Sequence, residues 1–319
     1  VKQNAPRSST TARLGLVGAR GHTGAELLRL VDAHPHLELA FASSRELVGQ
    51  SMAGSDRSFV AYGPEEVARA GVDVVVLALP NGASEPYVRA IDASGHDVVV
   101  IDLSADHRFD DTWTYGLVER NRSALAGARR IANPGCYATG MQLALTPFLD
   151  VLDGPAHVFG ISGYSGAGTT PSRKNDIEVL RDNVLAYALT HHVHEREVTR
   201  HLAHPVHFVP HVASFFRGIH LTITMQLLDA LDADVLRARL LAFADSEPLV
   251  RMTTEPPEVK HIAGHHHVEV GGLACVPDER RAVVCATIDN LLKGAATQAI
   301  ENVNLALGYD ELTGIVLDR

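Results

Sequence analysis

"GLVGARGHTGAELLRL", Gly15 to Leu30, joins an apolar run that begins at Arg13 to an amphipathic one, with glycines at 15, 18, 21 and 24. The apolar run reads as a strand and the amphipathic run as a helix, so the glycines mark a strand-to-helix turn. The spacing is G-x-x-G-x-x-G rather than the commoner G-x-G-x-x-G. A tight turn here lets backbone N–H groups approach a pyrophosphate at the start of a helix. Gly15, Gly18, Gly21 and Gly24, with Arg20, His22 and Thr23 among them, are therefore candidate dinucleotide contacts.

Further strands follow in "LELAFASS", "VDVVVLALP" and "HDVVVIDLS", with helical "GASEPYVRAIDAS" between the last two. Strands that are apolar nearly throughout and alternate with helices predict an α/β fold with a parallel sheet covered on both faces. After Pro147 the pattern changes. "GIHLTITMQL" (218–227) and "RAVVCATID" (281–289) alternate in side-chain type, as half-exposed antiparallel strands do. The stretch 293–307 reads as an amphipathic helix that returns to the first domain.

Composition narrows the function. A net charge of −10 argues against nucleic acid as the main partner. No apolar run reaches the roughly 20 residues of a membrane helix. Cys136, Cys275 and Cys285 contain no CxxC pair, which fits a reducing compartment and gives no zinc framework. The polar opening "VKQNAPRSSTTA" lacks a signal-peptide core and is expected to be a disordered arm, residues 1–12.

The end of the second strand bears on the choice of cofactor. An NAD site usually carries an acidic residue there for the ribose 2′-hydroxyl. This chain has Ser43, Ser44 and Arg45, two hydroxyls and a guanidinium suited to a 2′-phosphate, so NADP is expected over NAD.

"RIANPGCYATGMQLAL" (130–145) places Cys136 directly after Pro-Gly, at the first turn of a predicted helix. A helix N-terminus favours thiolate over thiol, and its N–H groups can hold an oxyanion. A cysteine so placed beside a nicotinamide site suggests acyl-thioester chemistry. The base is sought in "YALTHHVHERE" (187–197). His192 and His194 point the same way if this segment is extended, and Glu197 is placed to orient one of them. Either histidine suits proton transfer, with His192 favoured. A zinc pair is the competing use, but no thiolate cluster or HExxH completes a metal site. His265 to His267 read as a surface loop.

"SGYSGAGTTPSRKND" (162–176) is a loop able to offer amides and hydroxyls to an anion, beginning with Ser162, Gly163 and Tyr164. Arg173 and Lys174 within it, and Arg217 further on, are candidate charges for a carboxylate or phosphate.

From Arg13 to the C-terminus the chain resembles the N-acetyl-gamma-glutamyl-phosphate reductases, relatives of aspartate-semialdehyde dehydrogenase. The motifs include "GLVGARGHTGAEL", "SSRELVGQ", "ALPNGAS", "DLSADHRF", "NPGCYATG", "SGYSGAGTTPSRKND", "HVHERE" and "NLLKGAATQAIENVNLALGYDELTGI". Val193 and Arg196 stand where many bacterial members read HRHxPE, and Thr169 takes a position that is often basic. The resemblance implies Cys136 as the acyl-accepting nucleophile, and His192 or His194 with Glu197 as the acid/base group. It adds Pro80, Ser165, Gly166 and Asn290 to the cofactor residues. It adds Ser104, Arg108 and Asn133 to the substrate residues.

The implied architecture is a Rossmann-type NADP-binding domain, residues 13–147 and 290–319. An α+β substrate and dimerisation domain with a mainly antiparallel sheet spans 148–289. The implied activity is NADPH-dependent reduction of N-acetyl-γ-glutamyl phosphate to the semialdehyde with release of phosphate, in arginine biosynthesis. The expected partner is a small-molecule acyl phosphate, and the expected state a cytoplasmic homo-oligomer, dimer or tetramer. Close alternatives are a sister reductase acting on a carrier-bound acyl phosphate, and a nucleotide-sensing protein that lost catalysis.

Overall fold

The computed structural model describes residues 11–52 and 56–317. Residues 1–10 of the expected arm lie outside the described residues, and Ala12 already opens a strand. The chain folds as two compact units, one of residues up to Pro134 together with Ala295–Val316, the other of Gly135–Gly294 with the chain end.

In the first unit, β1 (Ala12–Val17), α1 (His22–Ala33), β2 (Leu37–Ser43), α2 (Pro64–Ala68), β3 (Val74–Leu77), α3 (Glu85–Ser94) and β4 (Val99–Asp102) alternate as read from the sequence. β5 (Thr114–Tyr115), α4 (Val118–Leu125) and β6 (Arg130–Ala132) follow. The strands form one sheet in the order β2-β1-β3-β4-β6-β5, every pairing parallel. A strand covered on both faces must be apolar on both, and β3 shows this directly. Val74 and Val76 pack into one core with Leu27 and Val31 of α1, while Val75 and Leu77 pack into the other with Val88 and Ile91 of α3. β2 and β3 flank β1 on opposite sides, so the order reverses at β1/β3. Ligands of such sheets bind outside the strand carboxyl ends at that point.

The second unit opens with α5 (Cys136–Leu145), β7 (Ala156–Gly163), α6 (Ile177–Leu180), β8 (Val184–Ala186) and α7 (Val193–Leu202). It continues with β9 (Val206–Ala213), β10 (Ile219–Gln226), α8 (Ala233–Ser246), β11 (Val250–Thr253), α9 (Val259–Ile262), β12 (Val268–Val276) and β13 (Arg281–Ile288). The sheet order is β11-β12-β13-β10-β7-β9-β8. Only β11/β12 and β7/β9 are parallel, so the sheet is mixed and mostly antiparallel. β10 alternates as predicted, with Ile219, Leu221, Ile223 and Met225 buried between half-exposed His220, Thr222, Thr224 and Gln226.

The sequence reading ended the first domain at 147. In the structure α5 is buried nearly all round and packs against β10 and β13, so the helix that carries Cys136 belongs to the second unit. The chain returns to the first unit through α10 (Thr297–Leu307), whose Ala299, Ile300 and Val303 join the core under β1 and β3. No helix among the described residues is long and apolar enough to cross a membrane.

Candidate active site

The first unit builds a cradle at the start of α1. Gly18 has φ +88°, and a Cβ there would lie 2.1 Å from the Ala78 carbonyl oxygen, so only glycine fits between β1 and the end of β3. The turn is held from below by the Ser43 carbonyl, which accepts the N–H groups of Gly18 and Ala19 at 3.0 and 3.1 Å. α1 starts after Gly21 with no side-chain cap and no acid in its first turn. Its first N–H groups therefore face outward with the positive end of the helix dipole. His22 in that turn has its pKa lowered by burial. Arg20 pairs with Glu46, which draws that carboxylate away from exposed Arg45. A glycine-only turn, an uncapped helix start and a cationic second-strand loop fit a dinucleotide with a 2′-phosphate.

The second unit builds the chemical cluster around Cys136, the first residue of α5. Gly135 is the N-cap and offers no side chain to the helix start. Its own N–H donates to Glu197 Oε1 at 2.9 Å, and Glu197 is fully buried. Space for the cysteine comes from Gly294, where a Cβ would lie 2.8 Å from Cys136 Cβ. Cys136 is half-buried, with the first-turn N–H groups of α5 beside it.

Two phenols share this surrounding. Tyr137 donates to the His211 carbonyl at 2.7 Å. The pKa values of Tyr137 and Tyr187 are raised by burial, and further by negative charge at Cys136. Lys174 Nζ stands 4.9 Å over the Tyr187 ring.

"HVHERE" is helical from Val193, not extended. His192 is the N-cap of α7, and its Nδ1 accepts the His194 N–H at 3.2 Å. The two rings are 4.8 Å apart, and that of His194 lies 6.0 Å from Tyr137. Burial, aided by the charge of Lys174, pushes the His192 pKa down to about 4. His192 is thus neutral at neutral pH. With Nδ1 occupied as an acceptor, its proton resides on Nε2.

Two family models match the chain: semialdehyde dehydrogenase, NAD binding domain, over residues 13–128, and semialdehyde dehydrogenase, dimerisation domain, over 136–290. The N-acetyl-gamma-glutamyl-phosphate reductase of Xanthomonas campestris pv. campestris (strain B100) is 55% identical over 308 residues, covering 95% of this chain and 98% of that one. The chain belongs to the N-acetyl-gamma-glutamyl-phosphate reductase family. The reductase of the same name from Stenotrophomonas maltophilia (strain R551-3) is 53% identical over 314 residues, covering 97% of this chain and 99% of that one. Among solved structures, aspartate semialdehyde dehydrogenase II of Vibrio cholerae, complexed with ASA, shares the fold. Its TM-score is 0.78 at 18% identity, over 94% of this chain and 99% of that one.

In this member of the reductase family several residues expected to touch ligands also make bonds within the scaffold. The Ser43 hydroxyl donates inward to the Tyr62 carbonyl at 3.1 Å, and that of Ser44 accepts the Leu47 N–H at 3.2 Å. Arg217 makes a two-point ion pair with fully buried Asp289, Nε to Oδ2 at 2.6 Å and Nη2 to Oδ1 at 3.0 Å. Asn290 accepts the Gly218 N–H at 2.7 Å and donates to the Ser165 hydroxyl at 2.9 Å. Gly166 lies over Ser162, whose hydroxyl is turned to the Gly163 carbonyl. Gly163 is required because a Cβ there would lie 2.5 Å from the Phe216 carbonyl oxygen, and the Tyr164 N–H donates to Phe215.

In the first unit Arg108 is buried and donates to the carbonyls of Asn133 and Leu103, at 2.9 and 2.8 Å. Asn133 is buried too, accepting from Asn302 at 3.0 Å. Ser104 is bonded to Asp102, and Pro80 is exposed just beyond β3. Glu197 meets the Gly135 corner, a partner the sequence reading did not foresee. Tyr137 and Tyr187 were overlooked there, although one adjoins Cys136 and the other opens "YALTHHVHERE".

Proposed function

We propose that this chain reduces N-acetyl-γ-glutamyl phosphate to N-acetylglutamate 5-semialdehyde with NADPH, releasing phosphate, in arginine biosynthesis. The observation that carries the reading is Cys136 at an uncapped helix start, its corner pinned by a buried carboxylate. Gly15 to Gly24 and the Ser44–Arg45 end of β2 are the residues to hold NADPH, which when bound supplies the hydride.

Cys136 acts as thiolate. Its sulfur attacks the acyl carbon, the C–S bond forms, the C–O bond to phosphate breaks, and phosphate departs. The N–H groups of the first turn of α5 receive the negative charge that develops on the acyl oxygen. When the aldehyde forms, Cys136 is the leaving thiolate. His194 exchanges protons with it. Neutral His192 offers its Nε2–H to the oxygen. This reverses the preference for His192 as base, because a ring with Nδ1 engaged and a pKa near 4 is a donor at neutral pH. Lys174 is the basic residue for the substrate anion, since Arg217 is neutralised by Asp289 and Arg108 is spent on carbonyls.

The family model over 136–290 supports a homo-oligomer formed through the second unit, dimer or tetramer. Three free cysteines suit the reducing cytoplasm. The deciding assay follows NADPH oxidation with N-acetyl-γ-glutamyl phosphate beside aspartyl phosphate. Turnover of the first alone supports the reading, and preference for the second refutes it.

A further inference from the structure

At the carboxyl ends of β3 and β4 lies a buried charged network outside the machinery assigned above. Asp102, the last residue of β4, is fully buried. Its Oδ1 accepts the Ser104 N–H at 3.0 Å, and its Oδ2 accepts the Ser104 hydroxyl at 2.7 Å. The same Oδ2 lies 2.7 Å from His107 Nδ1. The Ser84 hydroxyl stands 3.2 Å from Asp102 Oδ2 and 2.8 Å from Asp106 Oδ2, so one proton serves two carboxylates. Asp106 takes the Gly82 N–H at 2.7 and 2.9 Å, and Asn81 accepts the Ala105 N–H at 3.0 Å. Side chains thus stitch the loop after β3 to the loop after β4.

His107 sits among the carboxylates of this assembly. It is buried, and its ring stacks on Trp113 with centroids 3.9 Å apart and planes 17° from parallel. Asp102 faces it from β4 and Glu85 from α3, the latter 3.5 Å from Nε2. Asp106 and Asp110 act on it from its own loop. Of the basic residues around it, Arg89 is paired with Glu85, and Arg108, next in the chain, donates to the carbonyls of Asn133 and Leu103. Burial works against the imidazolium, but Asp102, Glu85 and Asp106 together outweigh it, so the His107 pKa is raised above the usual histidine value.

We propose that His107 is a positioning residue of the cofactor site: held between Asp102 and Trp113, it fixes the loops after β3 and β4 in one arrangement at the edge where the dinucleotide binds. The inference rests on the reading of the first unit as the NADPH site. A fully buried carboxylate is costly without a counter-charge, so neutralising His107 loosens both loops together.

Trp113 is the only tryptophan in the chain, so its emission reports the charge on the ring it stacks against. A protonated imidazole in contact with an indole quenches it. In the wild-type chain without cofactor, emission should rise in one step centred above the ordinary histidine pKa of about 6.5. NADPH affinity should weaken on the order of tenfold across that same step. His107→Gln should abolish the emission step, raise the KM for NADPH at the lower pH by a similar factor, and leave kcat within about twofold.

An emission step without a matching change in NADPH affinity would overturn the proposal, and wild-type measurements decide this even if the variant does not fold. A His107→Gln variant with wild-type KM and pH profile would overturn it equally. Failure of the functional reading looks different: NADPH would not bind at any pH, and the inference would fall with it.

Discussion

His192 Nδ1 accepts the backbone N–H of His194 at 3.2 Å, so the start of α7 assigns the two rings different duties. One ring has an acceptor committed to the helix and a proton fixed on Nε2. The other stands one turn position further on, beside Tyr137. The prediction is that His194→Asn lowers kcat by roughly two to four powers of ten while Cys136 can still be alkylated. His192→Asn should cost less, because asparagine keeps a donor and can still cap the helix. Steady-state kinetics of the pair checks this. A dead His192 variant beside a near-normal His194 variant would exchange the roles.

The same burial makes His192 a source of acid lability. Its folded pKa of about 4 lies below the unfolded value near 6.5, so the unfolded chain takes up this proton first. The native state is therefore favoured by this group above pH 6.5 and loses that advantage as pH falls toward 4. Urea unfolding between pH 7.5 and 4.5 should show a steeper loss in wild type than in His192→Gln. Equal slopes would mean that His192 titrates normally in the folded chain.

Glu197 holds the corner of the nucleophile through the Gly135 N–H. Glu197→Ala leaves that buried N–H without its acceptor, which should cost about 2–3 kcal/mol of stability and slow iodoacetamide labelling of Cys136. Glu197→Gln keeps an acceptor oxygen and should retain most of both. If alanine and glutamine behave alike in unfolding and labelling, the bond is not what holds the corner.

Much of the first unit was legible because its strands and helices are contiguous periodic runs punctuated by glycine. The position of Cys136 at a helix start followed from Pro-Gly alone. What escaped was set by partners distant in sequence. Nothing in "RGI" signals that Arg217 meets Asp289, 72 residues on, and nothing in "HERE" points to Gly135, 62 residues back. The short "HVHERE" segment carries no periodicity to separate strand from helix, and the histidine cap that decides it is rarely seen at that position. His267, expected in a surface loop, is buried beside Glu269. Asn290 ties Gly218 and Ser165 together, bonds between residues far apart in sequence that a local motif does not show.

Arg45 is exposed at the end of β2, and Arg20 occupies the neighbouring Glu46. Arg45→Ala should raise the KM for NADPH about tenfold or more and leave that for NADH nearly unchanged, since only NADPH carries the 2′-phosphate. Equal effects on the two cofactors would remove Arg45 from the phosphate site.

The central claim is that the acyl group passes through Cys136, and intact-protein mass spectrometry tests it most directly. Wild-type chain mixed with N-acetyl-γ-glutamyl phosphate in the absence of NADPH should release phosphate in a burst. It should gain the mass of one acetylglutamyl group, mapped by digestion to Cys136, and Cys136→Ser should show neither. An unmodified chain that nevertheless turns over when NADPH is supplied, or an adduct on Cys275 or Cys285, would contradict the account.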